Sequence, residues 1–587
     1  MQNPLPRVAL GLYAAAVAVA AACTPTQPPP GRPAVLPAPN FTPDSLRQPI
    51  VVRSQNRLLE ATLEVVQTPL SVPGVGTLNL RAYKLLQGNG ISYADSNKVA
   101  YPGPTFRIQR GDSVRILLIN HLPQDTTENE CESYSAYNQG RDTFPNCFHG
   151  PNWTNIHYHG MHVTPDSTGD NVLIQIGPDS TWQFAFGIPQ NQSPGTHWYH
   201  PHKHGSVALQ VTNGMAGALI VEGGGLDSLT RANNIKEYLV AVQQVDSQVN
   251  LVGTAVASKL LVNGQLNPVI VMRPNEVQRW RLVNENVSKS TTYTLVFEDS
   301  TGRAEPKLYD IARDGVQFAP ANYSTASPDT NLIVAPGNRL DMFVQAPADT
   351  GFHLLNARVV ASNVRAQREL PQARGNARGV TQSLLRVRVV NDGTPVQTQL
   401  PPSLPPLPSF LNNLQPTADT AAYVVFTDSG AQGGNGPAFY LGRRDSVYMK
   451  FNPDSVFLPL PLDRTQTWKV SNNSANGLNH PFHIHVNPFQ VVYVYAPLST
   501  DGNQPLYQQI NAAAAGGFPI WMDVFPLPLS NGDDAGYIVL RQAYEDFTGK
   551  FVMHCHILGH EERGMMQLLD VVGPGGSTST AGGGHRH

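Results

Sequence analysis

The residues with the clearest chemistry lie near the C-terminal end of the chain, in the segment HCHILGHEERGM from His554 to Met565. This segment places a thiolate, three imidazoles and a thioether within twelve residues. Two His and one Cys in a trigonal arrangement, with a weak axial Met, are the ligands of blue-copper electron-transfer sites. In an extended strand, His554 and His556 project to the face opposite Cys555. One short segment can therefore serve two metal centres, one on each side of the strand.

Three further histidine clusters precede this segment, and together they give four His-x-His pairs. The earlier clusters are His157-Tyr158-His159, His200-Pro201-His202 and His480-Pro481-Phe482-His483-Ile484-His485. A lone histidine is usually structural, but repeated pairs flanked by strand-like sequence indicate imidazoles that converge from strand faces. The four pairs supply eight imidazoles, enough for a cluster of three metal ions. They come from the first and last thirds of the chain, so we expect that cluster at the interface of two domains.

Ligand softness favours copper as the metal. Imidazole-rich sites suit copper, zinc, iron or nickel, but a thiolate with two His and a Met favours copper and electron transfer. Zinc would leave Met565 unexplained. Because His554 and His556 flank Cys555, a path of a few covalent bonds joins the two predicted centres. A one-electron entry site connected to a multi-metal site is what the four-electron reduction of O₂ requires.

Length and composition indicate the elements that position these residues. A chain of 587 residues favours about three domains. The 50 Gly and 50 Pro indicate many turns, and Val/Ile/Thr-rich runs between them predict an all-β chain. The net charge of −3 and the absence of a basic patch give no indication of nucleic-acid binding.

Internal repeats appear at the scale of domains. The segment Gly214–Gly223 resembles Gly564–Gly573, and each follows a His-x-His pair, so the first and last domains are predicted to be versions of one β unit. A weaker similarity links 114–120, 277–284 and 467–472. Each of these three segments is predicted to be a strand that ends at an Asn turn.

Composition also predicts the boundaries. Three domains are expected, at 59–225, 226–400 and 409–573, separated by Gly223-Gly224-Gly225 and by the Pro-rich run from Pro401 to Pro408. The middle domain holds a single histidine, His353, and is predicted to carry no metal. A Pro-rich linker at 24–58 precedes the domains, and a flexible tail at 574–587 follows them.

The N-terminal 23 residues are predicted to be a signal peptide, with Arg7 before an apolar run from Val8 to Ala22. Cys23 follows Ala20-Ala21-Ala22, as at a bacterial lipoprotein processing site. Either Cys23 becomes a lipidated N-terminus or it is discarded with the leader. We expect export to the periplasm or the cell surface. In that compartment Cys131 and Cys147 are predicted to form a disulfide, the alternative being two free thiols.

These motifs resemble those of three-domain, laccase-like multicopper oxidases, over residues 60–575. The resemblance includes PGPTFRIQRGDSVRILLIN before the first His pair, and LLVNGQ and RPNEVQRWRLVN in the middle domain. It implies an all-β fold of three cupredoxin-like Greek-key β-sandwich domains and four coppers per chain. The implied ligands are His480, Cys555, His560 and Met565 for type 1 copper; His157 and His483 for type 2; and His159, His200, His202, His485, His554 and His556 for the type 3 pair.

Two carboxylates match positions at which this family keeps a proton relay, since reduction of O₂ to water consumes four protons. They are Glu561, directly after the ligand His560, and Asp170, after the first His pair. The alternative for Glu561 is a solvated charge at a helix start or in a loop. The remaining histidines near the motifs are expected to support the ligands or to lie on the surface; they are His121, His149, His162, His197 and His204.

The sequence favours a small organic electron donor, a phenol or an aromatic amine, oxidised at the type 1 copper while O₂ is reduced at the cluster. The axial Met565 implies a low to moderate potential. The alternative is a metallo-oxidase acting on Cu(I) or Fe(II). Bacterial cuprous oxidases commonly carry a Met-rich insert, whereas residues 343–448 contain no Met. A copper-free exported scaffold would lack ligands that are present here, and a copper nitrite reductase lacks the second His beside the Cys.

Overall fold

The chain is built mainly from β-strands. This computed structural model describes residues 44–574 except 93–94, 126–143, 167, 246–258, 289–291, 299–302, 330–331, 360–380, 418–420, 430–437, 444–447, 475–477 and 499–504. Many strands bury alternate side chains. In Gly536–Tyr544 every second residue is buried, so one face of the strand points into a core and the other is half-exposed. The all-β prediction is confirmed.

The first sandwich has two five-stranded sheets, with strand orders β1-β5-β10-β9-β7 and β4-β3-β2-β6-β8. Its strands are β1 (Val51–Arg53), β2 (Leu58–Val72), β3 (Gly76–Gly88), β4 (Lys98–Ala100), β5 (Thr105–Gln109), β6 (Ser113–Asn120), β7 (His157–His159), β8 (Ser180–Gly187), β9 (Gly195–His200) and β10 (Gly217–Glu222). Val52 and Phe106 of the first sheet lie in one buried cluster with Leu63 and Ile116 of the second. The two sheets therefore pack face to face.

The second sandwich pairs the sheets β12-β11-β14-β19-β16-β17 and β13-β21-β20-β15-β18. Its strands are β11 (Lys236–Val245), β12 (Lys259–Val262), β13 (Val269–Met272), β14 (Val277–Asn284), β15 (Tyr293–Glu298), β16 (Lys307–Arg313), β17 (Val316–Gln317), β18 (Leu332–Val334), β19 (Arg339–Gln345), β20 (Gly351–Val359) and β21 (Thr381–Val389). Trp280 and Met342 of the first sheet share a core with Ile270 and Leu355 of the second.

The third sandwich pairs the sheets β24-β23-β22-β26-β31-β28-β29 and β25-β33-β32-β27-β30. Its strands are β22 (Ala421–Ser429), β23 (Ala438–Gly442), β24 (Tyr448–Met449), β25 (Val456–Pro461), β26 (Arg464–Asn472), β27 (Pro481–Ile484), β28 (Phe489–Tyr495), β29 (Ile520–Met522), β30 (Val524–Pro526), β31 (Gly536–Tyr544), β32 (Gly549–Cys555) and β33 (Met566–Val572). Val470 and Leu540 pack in one core with Phe482 and Met553.

Short helices connect some of these strands in the described part of the chain. They are α1 (Val207–Thr212), α2 (Gly225–Ala232), α3 (Pro505–Ala515) and α4 (Leu558–Glu561). No helix among the described residues is long and apolar enough to cross a membrane.

The predicted Asn-terminated strands occur in all three sandwiches. β6 ends at Asn120, β14 at Asn284 and β26 at Asn472. Each Asn side-chain oxygen accepts the backbone N–H two residues later, at 3.0, 3.3 and 3.2 Å respectively. These are Asx turns, which end a strand by giving its backbone a local side-chain partner.

The two copies of the repeat, in the first and last sandwiches, have the same backbone conformation at their first corner. Gly214 follows α1 with φ 105°, and Gly564 follows α4 with φ 109°. The next residue, Met215 or Met565, donates its N–H to the carbonyl five residues earlier, at 3.1 and 3.0 Å. Glycine is required at both corners because an L side chain rarely adopts this φ.

The boundaries of the three domains stay predictions, because the described residues between Asp44 and Pro574 pack as one unit. The predicted signal peptide, Cys23 and the linker as far as Pro43 lie outside the described residues, as does the tail from 575.

Candidate metal centre

Two antiparallel strand pairs, one in the first sandwich and one in the third, bring the four His-x-His pairs together. β7 pairs with β9, which sets His157 opposite His200. β27 pairs with β32, which sets His483 opposite His554. The second histidine of each pair lies two residues along the strand or just beyond its end, and therefore on the same face.

The eight histidines of these pairs form one buried group, here termed the histidine cluster. Its members are His157, His159, His200, His202, His483, His485, His554 and His556, and none is more than 1% exposed. The rings of His157 and His485 stack at 3.7 Å between centroids, and those of His159 and His483 at 3.9 Å. Each stack joins the first sandwich to the third, so the cluster lies at the predicted interface.

Outer hydrogen bonds fix which ring nitrogen faces the centre of the cluster. The Nδ1 atoms of His200, His483 and His554 contact the backbone carbonyls of Pro201, Asp523 and Cys555, at 2.7, 2.8 and 3.1 Å. Their Nε2 atoms remain for the interior. An outer partner that sets the tautomer and orientation of an imidazole is the usual arrangement around a bound metal.

His159 has the opposite orientation. Its Nε2 contacts a carboxylate oxygen of Asp523 at 3.2 Å, and its Nδ1 lies 3.5 Å from Nε2 of His200. Nε2 of His554 lies 3.1 Å from Nε2 of His202 and 3.3 Å from Nε2 of His485. His202, His485 and His554 thus form one group able to hold a metal ion. The ring centroids of His159, His200 and His556 lie 5.0 to 5.7 Å from one another.

Burial keeps these imidazoles neutral. It lowers the pKa of His200 to about 3 and of His554 to about 4. Neutral imidazoles offer lone pairs, yet the Nε2 atoms of His157 and His483 have no hydrogen-bond partner. Buried polar atoms without partners are costly. Several imidazole lone pairs that converge on one point would be satisfied by bound metal ions, whereas without metal ions they would stay buried and unpaired.

A second group, here termed the thiolate site, lies on the other side of β32. Sγ of Cys555 is 3.5 Å from Nδ1 of His480 and 3.7 Å from Nδ1 of His560, and the two Nδ1 atoms are 3.3 Å apart. Met565 is fully buried, and its carbonyl accepts the backbone N–H of Cys555 at 3.1 Å. The Phe439 ring stacks on His560 at 4.0 Å. Burial raises the pKa of the Cys555 thiol, so metal binding must displace its proton.

Cys555 connects the two groups. Its side chain belongs to the thiolate site, whereas its neighbours His554 and His556 belong to the histidine cluster. The contact between Nδ1 of His554 and the carbonyl of Cys555 adds a hydrogen-bonded route beside the covalent one. A path of a few bonds therefore joins the sulfur of the thiolate site to imidazoles of the histidine cluster.

The two predicted relay carboxylates both lie against histidines of the cluster. Asp170 accepts from Nδ1 of His157 and from the backbone N–H of Tyr158, each at 2.9 Å. Glu561 lies 3.4 Å from Nδ1 of His554 and 3.8 Å from Nδ1 of His202. Burial raises the pKa of both acids, so each holds a proton more firmly than a solvated carboxyl. Glu561 is fully buried, so its interpretation as a solvated charge is wrong.

The other histidines near the motifs lie outside the described metal-binding groups. His121 is exposed and contacts Glu64, while His162 contacts Asp546 at 2.9 Å. His149 contacts the carbonyl of Cys147 at 2.8 Å. His197 is buried against the carbonyl of Ser193, and His204 packs between Phe144 and Phe451. The disulfide from Cys147 stays a prediction, because Cys131 lies outside the described residues.

Sequence reasoning missed Asp523 and Arg339. Both are buried, and they form an ion pair beside His159. Neither belongs to a motif or to a histidine-rich segment, and they are separated by 184 positions. No local signal identifies them.

The chain matches two family models, both described as multicopper oxidase, at 143–225 and 424–573. A multicopper oxidase of Staphylococcus haemolyticus is 24% identical over 492 residues, which cover 81% of this chain and 84% of that protein. A laccase of Haloferax volcanii is 24% identical over 502 residues, covering 81% and 77%.

Solved structures share the fold. A multicopper oxidase of Campylobacter jejuni, described as a metallo-oxidase, superposes with a TM-score of 0.58 at 20% identity, covering 90% of this chain and 97% of that one. The McoA multicopper oxidase of Aquifex aeolicus gives a TM-score of 0.61 at 18% identity, covering 90% and 100%.

Proposed function

We propose that this chain, which belongs to the multicopper oxidase family, takes single electrons from a reducing substrate at the thiolate site and reduces O₂ to water at the histidine cluster. The observation that carries this proposal is that both groups meet at the C-terminal end of β32. There Cys555 contacts His480 and His560, while His554 lies in the histidine cluster. A small electron-transfer protein needs only the first group, whereas an oxidase needs both.

The donor sets suit four coppers. We assign type 1 copper to His480, Cys555, His560 and Met565, because a thiolate with two imidazoles and a thioether favours this metal. The histidine cluster would hold a type 2 copper at His157 and His483 and a type 3 pair at the other six histidines. Bound copper supplies one-electron redox chemistry at the thiolate site and several electrons for O₂ at the cluster.

The protein's own groups hold and orient the reactants. Cys555 and its two neighbours provide the electron path. Asp170 and Glu561 store protons against two different histidines of the cluster, His157 and His554. Because both carboxyls are buried, bulk water is excluded from around them. Each carboxyl therefore retains its proton until the reaction needs it.

The burial of the methionines favours a small organic electron donor, a phenol or an aromatic amine, over Cu(I). Eight are buried among the described residues: Met161, Met215, Met272, Met342, Met522, Met553, Met565 and Met566. Met449 is partly buried, and Met1 lies outside the described residues. Cu(I) prefers soft thioether ligands, and no described methionine is exposed to capture it.

Copper analysis tests the proposal. We expect about four coppers per chain and an intense blue absorption from the Cys555 thiolate. The matched control is Cys555→Ser, which should lose the blue absorption and about one copper while the type 2 signal in electron paramagnetic resonance remains. A colourless wild-type protein after copper loading would refute the assignment.

A donor panel separates the two substrate classes. Steady-state oxidation of a phenol and an aromatic amine is compared with that of Cu(I) and Fe(II), at one O₂ concentration. We expect higher kcat/KM for the organic donors. A clear preference for the metal ions would instead establish the metallo-oxidase alternative.

We also propose that the protein is exported, on the basis of the leader sequence and the Cys131–Cys147 pair. Cell fractionation with intact-mass measurement tests this. We expect loss of the first 22 or so residues and a two-proton mass increase on reduction. A lipid adduct on Cys23 would identify a membrane-anchored form, and a full-length cytoplasmic product would contradict export.

A further inference from the structure

The middle sandwich, which contributes no histidine to the cluster, reaches it through the turn Gly337-Asn338-Arg339 at the start of β19. Arg339 is fully buried. A buried guanidinium is costly unless its charge and its N–H groups are paired. The partners of this side chain therefore indicate what the turn does.

All five N–H donors of the Arg339 side chain are satisfied. Nε donates to the carbonyl of Thr196 at 3.2 Å. Nη1 donates to the carbonyl of Gly337 at 3.0 Å and to Oδ1 of Asp523 at 2.7 Å. Nη2 donates to the carbonyl of Asp314 at 3.0 Å and to Oδ2 of Asp523. One side chain of the middle sandwich thus contacts the first sandwich at Thr196 and the third at Asp523, where the pair is two-pronged.

Asp523 passes this constraint to two histidines of the cluster. Its Oδ1 lies 3.2 Å from Nε2 of His159, and its backbone carbonyl is 2.8 Å from Nδ1 of His483. Gly160 packs directly against the Arg339–Asp523 ion pair. A Cβ added at Gly160 would lie 2.3 Å from Nη2 of Arg339 and 2.6 Å from Oδ2 of Asp523.

Two more side chains of the middle sandwich hold the backbone of this segment. Oδ2 of Asp314 accepts the N–H groups of Asp523 and Val524, at 3.2 and 3.1 Å. The side-chain amide of Asn338 donates to the carbonyl of Val524 at 2.9 Å. Val524 is the β-sheet partner of His483. The backbone beside a cluster histidine is therefore fixed from the middle sandwich.

Gly337 approaches a third histidine directly. With φ at 87°, a Cβ at this position would lie 2.8 Å from the ring of His556. The turn thus contacts His556 through its backbone, and His159 and His483 through Asp523.

We propose that Arg339 is a positioning residue for the trinuclear copper cluster. It holds Asp523 in the one orientation that turns Nε2 of His159 outward and presents Nδ1 to the cluster, while His200 and His483 present Nε2. This inference rests on the proposed function, because it assumes that the histidine cluster binds copper. The planar fork of arginine fixes the carboxylate plane, which an ammonium group cannot do.

The principal test is Arg339→Lys, which keeps the charge and loses the fork. The matched control is Arg279→Lys: Arg279 is equally buried and pairs with Asp227 and Asp341 without contacting a cluster histidine. Loss of an outer partner typically weakens metal binding about 10- to 100-fold. We expect Arg339→Lys to lower copper occupancy of the cluster and to change the type 2 signal in electron paramagnetic resonance, with the blue absorption retained. Arg279→Lys should keep both signals.

A second variant keeps the inference testable if Arg339→Lys does not fold. Asp523→Asn preserves size and backbone contacts but removes the charge paired with Arg339. We expect the same selective change in the type 2 signal, with the blue absorption showing that the third sandwich is folded. Unchanged cluster copper and an unchanged type 2 signal in either folded variant would overturn the role of Arg339. A wild-type protein without cluster copper would instead refute the proposed function.

Discussion

Replacement of Glu561 by Gln tests whether the buried carboxyl delivers protons during O₂ reduction. The side chain lies 3.4 Å from Nδ1 of His554 and 3.8 Å from Nδ1 of His202, and it is fully buried. Gln has the same shape but no acidic proton. The substitution therefore removes proton delivery while leaving packing and the thiolate site unchanged.

The expected size of the effect follows from the geometry. A positioned general acid contributes about 10²- to 10⁴-fold to a rate. Asp170 remains against a different histidine, His157, and in the proposed relay it is the second proton donor. We therefore expect the lower limit, a reduction of about 100-fold in the reoxidation rate, which corresponds to about 2.7 kcal/mol of activation free energy.

Rapid mixing separates the two half-reactions. Reduction of the blue copper by a phenol without O₂ reports electron entry, and its recovery after mixing with O₂ reports the cluster. Glu561→Gln should slow only the second step. The matched control is Glu562→Gln, because Glu562 is equally buried but its Oε1 accepts the backbone N–H of Ala208 at 2.9 Å. Reoxidation at the wild-type rate in a Glu561→Gln protein with full copper content would refute the relay.

Two further predictions concern stability. Burial raises the pKa of Glu285 from 4.5 to about 8, so the native state keeps a proton that the unfolded chain releases. Stability therefore falls by about 1.4 kcal/mol per pH unit between these two values. Glu285→Gln removes that loss, so it should raise the thermal midpoint relative to wild type more at about pH 8 than at about pH 5; an equal shift at both would contradict this. Gly214→Ala forces an L side chain to φ 105° with its Cβ 2.0 Å from the ring of Tyr101, and should lower the unfolding free energy by more than about 2 kcal/mol in denaturant titrations. Its control, Gly187→Ala, meets no atom within 4 Å and should leave stability within about 1 kcal/mol; equal effects of the two substitutions would contradict the requirement for glycine at the corner.

The His-x-His pairs and the internal repeat could be recognised in the sequence because each pair and each copy of the repeat lies within a short segment. A His-x-His pair on a strand puts two imidazoles on one face whatever the rest of the chain does, and Cys555 between two histidines must face the other way. The corners at Gly214 and Gly564 and the strand ends at Asn120, Asn284 and Asn472 follow from the conformational preferences of single residues. The all-β fold was predicted from the Val/Ile/Thr-rich runs between the many Gly and Pro residues.

Only the tertiary structure shows which side chains surround the cluster histidines and fix their orientation. Glu561 directly follows His560 in sequence, but only the packing of α4 shows that it is buried against His554 and His202. The orientation of His159 depends on Asp523, and that of Asp523 on Arg339, at 364 and 184 positions of separation. Contacts at such separations leave no periodicity or spacing in the chain. The sequence therefore predicted which side chains would meet in the two groups, and the packing of three sandwiches determined which nitrogen of His159 faces the cluster.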